Sequence, residues 1–226
     1  MREIEFRAAQ DAKLAAALAL TERGLHLDDP SRIDVLGTLT FGTNVSVGIN
    51  VIFKGTVELG DDVSIGAHCI IEDAVIESGA VIKDFTTLQS AHVGVRSQVG
   101  PYARLRPGAM IGASCQIGNF VEIKATTMGT GCKINHHSFV GNATLGDDVV
   151  IGAGSITCNH DGSGVNPTTI HSGAYVGSGV MMIAPVTIGE NSVIAAGSTI
   201  TEDVPPDTLA ICRMRDLTLK PRANRS

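Results

Sequence analysis

The stretch Lys133 to Asn142, KINHHSFVGN, places His136 and His137 side by side in a chain with seven histidines. An imidazole titrates close to physiological pH, so such a pair suits a general base or a metal site. A second candidate is charge: Arg106 and Lys124 are separated by eighteen residues, a gap that only a matching structural period brings together. Two cations held about 5 Å apart repel by about 1 kcal/mol even in water, and an anion between them removes that penalty, so the pair suggests a phosphate site that Arg grips bidentately. Two unpaired surface cations are the plainer alternative. Cys69, Cys115, Cys132, Cys158 and Cys212 are scattered without a CxxC, which reads as free thiols rather than a disulfide framework or zinc ribbon.

The element that positions these residues is a repeat. Phe41, Val47, Phe53, Leu59, Ile65 and Ile71 fall six apart, as do Val99, Leu105, Ile111, Ile117 and Ile123, and again Ile170, Val176, Met182, Ile188, Ile194 and Ile200. Five-residue steps occur at Ile71 to Ile76, Leu88 to Val93, Ile123 to Met128 and Val140 to Leu145. The residue two before each aliphatic is small or β-branched, such as Val63, Cys69, Ser97, Ala103, Cys115, Cys132 and Ser138. One large and one small inward position per hexad describe a parallel β-helix, with three hexads to a triangular coil. The composition agrees, with 26 glycines, no tryptophan and 4% aromatic residues, so small aliphatics must build the core.

This register puts Cys132, Ile134, Ser138 and Val140 inside and both His136 and His137 on the outer surface or a corner. It places Cys69, Cys115 and Cys132 in the core as inert packing. Residues one coil apart lie at strand spacing, about 5 Å. Asn119, His136 and Ala153 then form one column, each two residues after its aliphatic, which sets a candidate proton acceptor beside a candidate amide donor.

Residues 4 to 24 carry apolar residues at helical spacing (Ile4, Ala8, Leu14, Leu18), expected as a helix capping the first coil. The pattern breaks at 157 to 169, TCNHDGSGVNPTT, a loop leaving the coil. The expected organisation is a helix and linker over 1–26, a β-helix over 27–204 and a tail over 205–226 with a disordered end. A net charge of −6 argues against nucleic-acid or anionic-membrane partners. The absence of a secretion signal or a membrane-length apolar run predicts a cytoplasmic protein.

The hexads resemble those of the hexapeptide-repeat acyltransferases, which implies their left-handed β-helix, an exception to the usual right-handed crossover. The γ-class carbonic anhydrases are similar in coil pattern only: their zinc needs histidines five apart, and none of the seven here has that spacing, so no metal is expected. GTLTFG, VGPYARLRPGA, IGNFVEIKA, DDVVIGAGSITCNHDG, VGSGVMMIAPVTIG and IAAGSTITEDV, spanning about 27 to 213, strongly resemble one family. It is the C-terminal half of the bifunctional N-acetylglucosamine-1-phosphate uridylyltransferase/glucosamine-1-phosphate N-acetyltransferases. The resemblance implies acetyl transfer from acetyl-CoA to the amine of a sugar phosphate, at sites between subunits of a homotrimer and without a metal. It implies His136 as catalytic base, Glu122 as a supporting carboxylate, and Arg106 and Lys124 as phosphate ligands. Ala153, Asn159, His160, Ser178, Ala196 and Arg213 fall on positions lining the acetyl-CoA site.

The chain also departs from that family. Phe139 stands for a tyrosine and Val150 for an asparagine, both acceptor contacts, His160 for a tyrosine, and a loop lysine is replaced near Val165; His137 stands where leucine is usual. Losing a hydroxyl or an amide costs on the order of 1 to 3 kcal/mol each where it bonded the acceptor. Asn159 is kept beside them. A different or nucleotide-linked amino sugar as acceptor, and a non-catalytic trimeric scaffold, are the alternatives. Twenty-six residues before the coils cannot hold a nucleotidyltransferase domain, so no uridylyl transfer is expected of this chain.

Overall fold

The computed structural model describes residues 2–212. From His26–Leu27 to Leu209–Ala210 the chain winds as a parallel β-solenoid. One face is a single sheet of eleven two- to four-residue strands running from His26–Leu27 through Lys133–His136 to Leu209–Ala210. The other two faces belong to one sixteen-strand sheet, joined near the N-terminal end where Ile33–Phe41, Val51–Leu59 and Ile70–Ile76 wrap from face to face. Among the described residues the strands of the solenoid pair in parallel, for instance Gln98↔Gln116, Arg104↔Glu122 and Lys133↔Val150. The solenoid thus runs past residue 204: Leu209 and Ala210 pair with Val193 and Ile194 and complete one more turn of the first face.

The hexad register explains the core. Cys69, Ile71, Cys115, Ile117, Cys132 and Ile134 are at most 1% exposed, and the aliphatic ladder continues to Ile194 at 0%. Phe41 is the exception, half-buried beneath the Arg23 guanidinium, which lies 5.0 Å from its ring centroid. The inward serines Ser97 and Ser155 avoid a desolvation penalty by bonding corner carbonyls: Ser97 Oγ donates to Gly112 O at 2.7 Å and Ser155 Oγ to Gly177 O at 2.9 Å.

Helix α1, Arg2–Glu22, matches the expected element, but its packing differs. Ile4, Leu14 and Leu18 are exposed, at 74%, 37% and 45%, and Ala8 is exposed too. The buried residue is Ala17, whose small side chain allows close approach, supported by Leu20 and a 2.7 Å Lys13–Asp34 ion pair. Only the C-terminal half of the helix therefore caps the solenoid. The loop is also narrower than its composition suggested: Ile156–Cys158 and Thr168–Ile170 are strands, and between them His160 bridges Val165 antiparallel. Among the described residues no helix is long and apolar enough to cross a membrane.

Candidate active site

Strand Lys133–His136 ends at a corner, and Phe139–Gly141 begins the next face. The turn between them is fixed from inside: Ser138 is buried, and its Oγ donates to the His136 carbonyl at 2.8 Å. A second donor, the Gly154 N–H, reaches the same carbonyl at 3.2 Å. Both imidazoles are exposed. Asn119 pairs with His136, and Ile134 with Ile151, which sets Ala153 beside His136 one turn on. The Ala153 carbonyl accepts from Gly179 N–H at 2.7 Å, while the Ala153 N–H has no acceptor among the described residues. A backbone donor is thus left free next to an exposed imidazole. Pairing of Ile151 with Val176 and of Val176 with Ile194 continues the column to Ser178 and Ala196. At about 4.8 Å per turn, His136 to Ala196 spans roughly 15 Å along the prism.

Across the corner lies a charged patch. Glu122 pairs with Phe139 on one side and Arg104 on the other. Its carboxylate accepts from Arg106 Nη1 at 2.8 Å and lies 3.9 Å from Arg104 Nη1. Arg106 and Lys124 do occupy equivalent positions on successive turns, since Leu105 pairs with Ile123. The anion beside Arg106 is nevertheless the protein's own, Glu122, which the cation-pair reasoning left out of account. Half-buried Lys124 has no ion-pair partner among the described residues. Arg104, which the same eighteen-residue step sets beside Glu122, is a further cation of this patch that the sequence pattern holds.

Beside this patch an added Cβ on Gly141 would lie 2.6 Å from Phe139 Cζ and 2.9 Å from Asn159 Nδ2, so both side chains close over that glycine. Asn159 Nδ2 donates to Asn142 Oδ1 at 2.8 Å, and Thr157 Oγ1 accepts from Gly141 N–H at 2.8 Å. The loop beyond is built on Asp161, whose carboxylate accepts from Ser163 N–H, Ser163 Oγ, Gly164 N–H and Asn166 Nδ2, each at 2.8 Å. These bonds, led by the Ser163 N–H, hold the Asp161 carboxyl well below the usual carboxylate range. His160 Nδ1 accepts from Gly162 N–H at 3.0 Å, which leaves the proton of a neutral ring on Nε2.

The structure therefore brings His136 and Ala153 together with Ser178 and Ala196 on one face, and Glu122, Arg106, Lys124, Phe139 and Asn159 on the next. Val150 does not join them. It lies three residues before Ala153, at the start of the strand Val150–Ile151 and about 10 Å away along the face, between Lys133 and Tyr175. Arg213 lies outside the described residues. Among those residues no cluster of three His, Cys, Asp or Glu could hold a metal.

The model of the family described as bacterial transferase hexapeptide (six repeats) matches residues 167–202. The chain is 48% identical over 203 residues to the bifunctional protein GlmU of Chromobacterium violaceum, covering 90% of this chain and 45% of that protein. It is 50% identical over 199 residues to the bifunctional protein GlmU of Methylibium petroleiphilum, covering 88% and 43%. It thus spans less than half the length of these curated relatives. A UDP-N-acetylglucosamine acyltransferase from Campylobacter jejuni superposes with a TM-score of 0.56 at 14% identity, over 82% of this chain and 70% of that one, a likeness of fold alone. Over about nine-tenths of its length this chain is a homologue of the C-terminal, hexapeptide-repeat half of the GlmU proteins.

Proposed function

We propose that this chain is an acetyl-CoA-dependent N-acetyltransferase acting on the amine of glucosamine-1-phosphate. The observation that carries the reading is the exposed His136 imidazole beside the free Ala153 N–H, one corner away from Arg106 and Lys124. The neutral amine attacks the thioester carbonyl carbon, forming the C–N bond while His136 takes the amine proton. The oxyanion that develops faces the Ala153 N–H. Its collapse breaks the C–S bond, and the thiolate leaves with the proton returned by His136. Arg106 and Lys124 hold the sugar phosphate, with Glu122 orienting Arg106 so that the guanidinium is in place before the anion arrives. Ala153, Ser178 and Ala196 line the run of the pantetheine arm, with Asn159, His160 and Arg213 completing the donor site.

The same reading makes the protein a cytoplasmic homotrimer. Val150, Tyr175, Val193 and Leu209 align on one face, with Tyr175, Val193 and Leu209 exposed at 49%, 40% and 62%. A second copy seated on that stripe buries it and brings residues such as Val150 to a site that one chain leaves open. Light scattering on the eluting peak that returned a monomer mass would overturn this arrangement.

The deciding assay is release of CoA thiol from acetyl-CoA with glucosamine-1-phosphate, beside His136→Ala. Turnover that falls by about 100-fold or more in the variant supports the assignment. Acetyl-CoA binding without turnover redirects the acceptor toward another amino sugar, the outcome favoured if the apolar Phe139 and Val150 reject this one. Failure to bind acetyl-CoA rejects the transferase and leaves a trimeric scaffold.

A further inference from the structure

His68, Phe85, Tyr102, Phe120 and His137 occupy successive turns of one corner. All five hold left-handed backbone, with φ of 61, 59, 55, 56 and 45°. That conformation is unfavourable for residues with a Cβ, and more so for bulky ones. The rings offset the strain by packing on one another, the first three pairs stacked and Phe120–His137 tilted by 40°, with centroids 4.7, 4.9, 5.4 and 5.0 Å apart down the ladder. Phe85, Tyr102 and Phe120 remain exposed.

The ladder stops at His137. On the next three turns the same corner is Gly154, Gly179 and Gly197, at φ of 73, 67 and 73°. The backbone step is unchanged: the N–H groups of His137, Gly154, Gly179 and Gly197 donate to Asn119, His136, Ala153 and Ser178 carbonyls at 3.0, 3.2, 2.7 and 2.8 Å. Crowding does not explain the switch. A Cβ on Gly179 or Gly197 would meet nothing within 4 Å, and one on Gly154 only Gly179 backbone at 3.9 Å. Phe120 packs against one side of the His137 ring, and on the other side the corner residue of the next turn, Gly154, carries no side chain.

We propose that the uncovered face of His137 is a platform for the thioester end of the acyl donor, which takes the place of the ladder's next rung. The inference rests on the acetyl-CoA reading of the site. One rung, about 5 Å, below His137 is the level of Ala153, whose N–H is free, so a thioester stacked there presents its carbonyl oxygen to that donor. The polarizable sulfur and planar acyl group both favour an aromatic face. His137 is in this account a positioning residue for the donor, and His136 beside it remains the base.

The test is calorimetric titration of acetyl-CoA into the full chain, with steady-state kinetics, for wild type, His137→Gly and His137→Phe. Glycine suits the backbone at φ 45° and removes the ring without strain. The glycine variant is expected to raise Kd and KM for acetyl-CoA about three- to tenfold, leaving the acceptor KM within about twofold, and the phenylalanine variant to restore both. Wild-type donor binding in His137→Gly, an equal loss in His137→Phe, or a shift confined to the acceptor KM overturns the inference alone. A wild-type protein that does not bind acetyl-CoA overturns the transferase reading with it.

Discussion

Gly141 offers a direct check on how the acceptor wall is built. It is buried and outside the positive-φ set, so alanine suits the backbone and the added methyl is the whole perturbation. That methyl would lie 2.6 Å from Phe139 Cζ and 2.9 Å from Asn159 Nδ2, where carbon contacts settle at about 3.5 to 4.0 Å. Both neighbours are ends of half-buried side chains, and each must swing outward by about 1 Å. Overpacking at the mild end of its range costs about 1 kcal/mol, and the displaced Asn159–Asn142 hydrogen bond about another. For a chain of this size Gly141→Ala is expected to lower Tm by about 4 to 8 °C. A 1 Å displacement in the acceptor wall is expected to reduce kcat/KM for the amino sugar by about ten- to a hundredfold. Differential scanning fluorimetry and initial rates read both quantities. A lowered Tm with unchanged acceptor kinetics would refute the role of Phe139 and Asn159 in acceptor binding, and an unchanged Tm would refute the steric argument itself.

Ser138→Ala removes one of two donors to the His136 carbonyl; a stability loss of about 1 kcal/mol and a severalfold drop in kcat are expected from denaturant melts and initial rates. In a native thiol assay only Cys158 and Cys212 are expected to react promptly, because Cys69, Cys115 and Cys132 are buried and burial pushes the Cys69 thiol up to about 11; guanidinium should expose all five. Asp161→Ala should accelerate amide exchange across 159–167 without affecting the coils. Because the folded Asp161 pKa is depressed, the loop order it confers is complete above the carboxyl's ordinary value of 3.8 and is lost only as pH falls through the lower folded value, so exchange at pH 5 should match that at pH 7 after correction for the intrinsic rate.

The interior was legible because a hexad leaves no freedom: Cys132, Ile134, Ser138 and Val140 point inward once the phase is known, and all are buried. The column Asn119, His136, Ala153 followed from the same counting. What counting missed were partners chosen by side-chain reach. Arg106 and Lys124 stack as the period requires, yet a guanidinium on a long stem reaches diagonally and finds the Glu122 carboxylate at 2.8 Å. Helix α1 failed differently: its apolar spacing predicted a packed face at Ile4, Leu14 and Leu18, but contact is made through Ala17. Hydrophobic period reports what a helix can bury, and the neighbouring surface decides how much of it is buried.

The loop shows why a solenoid tolerates a functional insertion at this place. The two turns just before it on the first face repeat every 17 residues, as in Asn119↔His136 and Ile134↔Ile151. Across it the interval is 25, seen alike in Thr144↔Thr169, Val150↔Tyr175 and Ile156↔Met181, and the next turn on the first face follows after 18, as in Tyr175↔Val193. The insertion is thus confined to one corner, and all three faces resume in register on its far side. His136 and Ala153 lie before the loop and Ser178 and Ala196 after it, yet they form one straight column. Had the insertion shifted the phase by a single residue, Val176 and Ile194 would have left the core and a neighbouring glycine would have taken the place of Ser178, breaking that column at Ala153.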